Sequence, residues 1–163
     1  MVPSDWPPQG DATGRHIWTS ATLGMKMHIG VDSQTGLVHS AMVTAANVHD
    51  KHPLPDLLHG QEQRVWGDSA YSSQQALIRS KAPQAADWTN QRVRKGSEME
   101  DLERLANRVK SKVRARVEHV FAVVKRLWGF DKVRYRGLAK NATRAFVATA
   151  LANIFLARRR LLA

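Results

Sequence analysis

Cysteine is absent from all 163 residues, which excludes disulfide frameworks and cysteine-ligated zinc or iron–sulfur sites. Residues 1–10 hold prolines and a glycine, without the basic stretch and apolar run of a secretory leader. Long hydrophobic runs are missing as well. The longest, Ala145 to Ala157, is interrupted by Thr149 and Asn153 and falls short of the roughly 20 apolar residues a bilayer crossing needs. A cytosolic protein is expected. The length and the 43% of apolar residues suit one domain with a real core.

Acidic residues are scarce in one half only. Residues 1–88 carry 6 basic and 8 acidic groups, a net of −2, whereas residues 89–163 carry 19 and 6, a net of +13. Clustered cations suit a polyanion, and nucleic acid suits them best because neutralising phosphates releases counterions. Charge alone is equally satisfied by a solvated basic face or by a ribosome or membrane surface.

Periodicity orders the chain. Met25, Met27, Ile29 and Val31 alternate with Lys26, His28 and Gly30, which predicts a strand; Asp32 to Gly36 is a turn, and residues 37–43 return as a second strand. Pro53 and Pro55 open a short helix that Gly60 stops, and Arg64-Val65-Trp66 reads as a buried strand. Ser72 or Ser73 is expected to cap a helix to about Lys81, residues 85–89 are weakly strand-like, and residues 90–96 form a basic loop. Leu102, Leu105, Val109, Val113, Val117, Val120 and Val124 then make one stripe of a long amphipathic helix ended by Gly129. Residues 133–136 read as extended. Asn141 is expected to cap a final, largely internal helix to about Arg160.

Two carboxylates could carry chemistry. Asp68 stands at the end of a short apolar strand, where α/β sheets open their ligand crevices, although an aspartate before a helix is equally a cap. Glu118 lies mid-helix; at 100° per residue Arg114 and Lys125 share its face, an arrangement that also fits a solvated ion-pair row. Hard oxygen ligands for divalent ions beside phosphate-gripping cations are what phosphoryl transfer requires. Among other tempting residues, His49, Asp50 and His52 lack further ligands, His119 can pack or touch DNA, and Trp66 and Trp128 read as core or edge aromatics.

The motifs Gly24-Met25-Lys26-Met27-His28-Ile29-Gly30-Val31-Asp32, Gly36-Leu37-Val38-His39-Ser40 and Thr44-Ala45-Ala46-Asn47-Val48-His49-Asp50 follow one another in order. After them come Gly67-Asp68-Ser69-Ala70-Tyr71, Arg114-Ala115-Arg116-Val117-Glu118-His119, Lys125-Arg126-Leu127-Trp128-Gly129-Phe130 and residues 134–141, RYRGLAKN. As a series they resemble the DDE transposases of bacterial insertion sequences, in the insertion-sequence-five group. The resemblance implies an α/β, ribonuclease H-like mixed sheet flanked by helices. It implies DNA cleavage and joining with two Mg²⁺ (or Mn²⁺) ions, on transposon ends and target DNA, in the bacterial cytosol at the nucleoid, with a homodimer as a candidate assembly and no membrane.

By the same resemblance Asp68 and Glu118 are the catalytic, metal-holding carboxylates and Arg114 and Lys125 hold phosphate, in the spacing Arg-x3-Glu-x6-Lys. Arg116, Arg92, Arg94 and Lys95 are further DNA contacts. Ala70 stands where the family usually has Gly, and Ser111 where many relatives have Tyr. The family's first aspartate belongs to a central strand upstream of residue 24. Residues 1–23 read instead as an irregular segment before a catalytic domain at 24–163, as if the chain were truncated at its N-terminus. Asp11, in Gly10-Asp11-Ala12-Thr13, is a candidate for the missing ligand without a strand around it, and residues 16–22 are a carboxylate-free candidate for the missing strand. A remnant that only binds DNA is the alternative.

Overall fold

The structure is a computed structural model that describes residues 14–22, 24–90, 96, 100–130 and 132–162, with the backbone alone described for 14–22, 114 and 116. Five strands form one sheet: β1 (Gly14–Thr22), β2 (Met25–Asp32), β3 (Val38–Ala45), β4 (Arg64–Trp66) and β5 (Ala86–Asp87), in the order β3-β2-β1-β4-β5. β1 runs antiparallel to β2 and parallel to β4, and β5 runs parallel to β4. The helices are α1 (Leu54–Leu57), α2 (Gln75–Lys81), α3 (Glu100–Ala122) and α4 (Leu138–Leu161), with a 3₁₀ turn at Ser69–Tyr71 and a π turn at Val123–Leu127. A mixed α/β sheet with helices on both faces is the layout that the resemblance implies.

The segment before residue 24 is not irregular throughout. Gly14–Thr22 is the longest described strand and occupies the sheet centre, pairing with β2 on one side and β4 on the other, so both neighbouring ladder edges are engaged. Its register with β2, from Arg15↔Asp32 to Thr22↔Met25, follows from a tight connection at Gly24, whose φ of 82° suits glycine.

Alternation in β2 sets the two cores. Met27, Ile29 and Val31 face α3 and α4, packing with Val117, Val120, Phe121, Val124, Ala145, Ala148 and Ala152. On the opposite face Leu54, Leu57, Leu58, Val65, Tyr71 and Ile78 form a second cluster, with Met42 of β3 against it. The outer edge at β3 is closed by α4: Asn153 accepts from the Val38 N–H and donates to its carbonyl, both at 2.8 Å.

Several expectations change once packing is seen. The predicted stripe of α3 is buried only from Val117 onward, because the helix overhangs the sheet; Leu102 and Leu105 are 54% and 56% exposed. α2 starts after Gln74 with no serine cap, as Ser72 bonds back to Ser69 instead. Residues 133–136 are not a strand, and α4 begins at Leu138. Asn141 sits inside its first turn. Nor is α4 internal on most sides, since only Asn141, Ala145, Ala148, Thr149 and Ala152 are buried while Phe146, Val147, Leu151 and Ile154 are exposed.

Candidate active site

Asp68 leaves β4 through Gly67. A Cβ on Gly67 would lie 3.1 Å from the Tyr71 ring and 3.3 Å from the Thr89 methyl, so the turn is built tightly around glycine. The Asp68 carboxylate accepts from the Ala70 N–H at 2.9 Å and caps the 3₁₀ turn through Oδ1. Among the described residues no hydrogen bond engages its Oδ2. Cap and ligand are thus compatible roles for one carboxylate, and Ala70 in place of glycine forms the turn.

Beyond β5 the chain stays in register with β4. Trp88 N–H donates to Val65 O at 2.8 Å and Asn90 N–H to Gly67 O at 2.9 Å. The same stretch anchors α3: the Lys110 ammonium donates to Thr89 O at 3.0 Å, and the Asn90 amide to Ser111 Oγ at 3.2 Å. Ser111 therefore has a structural task where relatives have a tyrosine. Burial holds the Lys110 pKa below the ordinary lysine value, opposed by the Asp87 carboxylate. Trp66 and Trp88 stack at 5.3 Å under this junction, which makes Trp66 a core aromatic. Trp128 meets Phe155 edge-on at 6.2 Å and likewise packs inward.

From this anchor α3 crosses the sheet towards β2. The β1–β4 pairing ends at His16↔Trp66, two residues before Asp68, and on its other side β1 pairs with β2, position 18 opposite Ile29. Val117 and Val120 pack in the cluster of Ile29, so the helical turn carrying Glu118 lies over β2. Glu118 and His119 are exposed. No hydrogen bond or ion pair joins Asp68 to Glu118 among the described residues, and no three His, Asp or Glu side chains cluster there as a metal site would require. The donors are hard carboxylate oxygens of the kind Mg²⁺ prefers, but β1, the strand between the two, contains neither Asp nor Glu. In kind the described residues fit a divalent ion; among them no third carboxylate joins these two.

The cations divide. Lys125 is exposed, 6.0 Å from the Phe121 ring, and lies in the π turn. A π turn takes more residues than an α turn, so Lys125 is rotated back from the near-alignment with Glu118 that uniform 100° steps predict. The backbones of Arg114 and Arg116 belong to α3. Asp11, Arg92, Arg94 and Lys95 lie outside the described residues. Asp32 is structural: its carboxylate gathers the Gln34 and Thr35 N–H groups and the Thr35 hydroxyl. Burial pushes its pKa up, but these bonds outweigh it and hold the group below the usual carboxylate range. Asp50 is taken by Lys26 at 2.8 Å, which removes the histidine cluster around it as a metal site.

Sequence reasoning missed one carboxylate. Glu62 is fully buried, accepting from His59 N–H at 2.7 Å and Gly60 N–H at 2.8 Å, and so fixes the loop that feeds β4 and Asp68. The acid two residues after His59-Gly60 was the available signal.

The chain matches the family described as "Transposase DDE domain" over residues 6–154, and it belongs to that family. Among solved structures it is similar to the catalytic core domain of BIV integrase, at 9% identity and a TM-score of 0.46, covering 88% of this chain and 82% of that one. No helix of the described residues is long and apolar enough to cross a membrane.

Proposed function

We propose that this chain serves DNA transposition as the catalytic domain of an insertion-sequence-five-group DDE transposase, cleaving and joining phosphodiesters at transposon ends and in target DNA. What supports the reading is the Asp68 carboxylate at the exit of β4, with Oδ1 capping the turn, together with an exposed Glu118 on the part of α3 that Val117 and Val120 pack into the cluster of β2. In this reading Asp68 and Glu118 hold the divalent ion, Mg²⁺ or Mn²⁺, with Asp11 as the third ligand, and Arg114, Arg116, Lys125, Arg92, Arg94 and Lys95 take phosphates. A bound divalent ion stabilises the attacking and leaving oxygens of an in-line displacement. The residues of the chain align the phosphate and neutralise its charge. Residence in the bacterial cytosol at the nucleoid and pairing into a homodimer belong to the same proposal.

A second reading is favoured by a specific observation, the carboxylate-free central strand: a domain that binds DNA without cutting it. Nicking of a supercoiled plasmid carrying transposon ends, with Mg²⁺ or Mn²⁺, separates the two. Nicking by the wild type that disappears in Asp68→Asn, Glu118→Gln and Asp11→Asn supports the enzyme. DNA binding without metal-dependent nicking leaves the second reading.

A further inference from the structure

Between the π turn and α4 runs a stretch with no regular secondary structure, yet its carbonyls are held by two side chains of α4. Asn141, 4% exposed, donates through its amide to Tyr135 O at 2.6 Å and Gly137 O at 2.7 Å and accepts from Tyr135 N–H at 3.2 Å. One helical turn on, the Arg144 guanidinium donates to Lys132 O at 2.9 Å and Gly129 O at 3.2 Å, lying 4.7 Å from the Phe130 ring. A buried asparagine and a stacked arginine thereby satisfy the backbone of an exposed loop.

The side chains this clamp displays are of one kind. Lys132, Arg134, Arg136 and Lys140 are exposed, with Tyr135 at 51% exposure among them. No ion pair ties these cations to a carboxylate of the described residues, and residues 132–162 contain eight basic and no acidic residues. The exposed Lys125 and Arg126 lie in the π turn upstream of the loop.

We propose that residues 132–140, the loop and the first turn of α4, are a preformed contact for the phosphate backbone of duplex DNA, outside the reacting phosphodiester. Side chains displayed on a fixed backbone bind with less ordering cost than a flexible basic tail, and Tyr135 offers a hydroxyl and ring to the sugar-phosphate edge. The contact is independent of sequence: it sets how the duplex lies on the domain. The proposal rests on the DNA-acting reading given above.

The test is fluorescence anisotropy of the full chain with a short labelled duplex of mixed sequence across a salt series. The loop variant is Arg134→Ala/Arg136→Ala/Lys140→Ala. The control, Arg158→Ala/Arg159→Ala/Arg160→Ala, removes the same charge from the far end of α4. The loop variant is expected to bind at least about tenfold more weakly, with a salt slope shallower by roughly two to three, at about 0.9 per lost phosphate contact. The control should move less than threefold. Equal losses in both variants would reduce the effect to net charge and overturn the proposal, as would unchanged binding by the loop variant while the wild type still binds. That last outcome leaves the DNA-acting reading intact, whereas a wild type that binds no duplex removes both. Loss of binding to phosphatidylserine vesicles with DNA binding preserved would assign the loop to membranes and also overturn it.

Discussion

The sheet-bearing half and the helical half of this domain use charge in opposite ways. In the first, acids are spent inside the molecule: Asp32 gathers its turn, Asp50 pairs with Lys26, Glu62 fixes the loop before β4, Asp68 caps the 3₁₀ turn, and Asp87 accepts from Thr89 N–H. In the second, most described cations face solvent, Lys110 and Arg144 being exceptions bonded to backbone carbonyls. The difference teaches where partners act. A carboxylate aimed at backbone N–H groups shapes a loop, while a lysine or arginine without an internal partner remains available to an external anion.

That contrast can be broken most forcefully at Glu62. Glu62→Ala should lower unfolding free energy in urea by about 2–4 kcal/mol, since the His59 and Gly60 N–H groups lose the buried acceptor that fixes their loop. A loss under 1 kcal/mol would show that the loop before β4 stands without it. Asn141→Ala tests whether the helical half also contains a buried polar clamp; a loss of about 2 kcal/mol is expected from its three hydrogen bonds.

Acid titration sharpens the comparison further. Burial lowers the pKa of His28, with Lys26 acting in the same direction and Asp50 opposing. The unfolded chain therefore takes up this proton first, and stability should begin to fall as pH drops through the ordinary histidine value of about 6.5. His28→Gln should remove that first decline. The depressed Asp32 pKa adds stability that is present above the ordinary carboxylate value of about 4 and is lost as pH falls towards the folded value. Asp32→Ala should flatten this second decline, at a cost of about 1–2 kcal/mol at neutral pH.

The smallest effect is expected where cations are removed. Arg134→Ala/Arg136→Ala/Lys140→Ala should leave the urea midpoint nearly unchanged, each exposed position contributing within about 0.5 kcal/mol. A large loss of stability would place these side chains with the structural acids of the other half.

Much of the architecture was legible in the residues. Alternation from Met25 to Val31 and the stripe through Val117, Val120 and Val124 located β2 and the buried part of α3, because period-2 and period-3.6 patterns report one-sided burial directly. Leu102 and Leu105 continued that stripe but are exposed, since periodicity cannot say where a helix outruns its sheet. Asp68 as strand-end cap was readable from its neighbours. Glu62 was not, because its bonds go to backbone groups whose positions the sequence does not display.

By itself, then, the sequence determined the sign and location of charge, the candidate carboxylates at positions 68 and 118, and the family that its ordered series of motifs resembles. Only the tertiary structure decided that a strand without a carboxylate pairs with β4, the strand that leads to Asp68, and that Asn141 and Arg144 bond the backbone of a loop without regular structure. The reason is physical: strand partners and side-chain-to-backbone bonds depend on distances between segments remote in sequence, which no local pattern of residue types specifies.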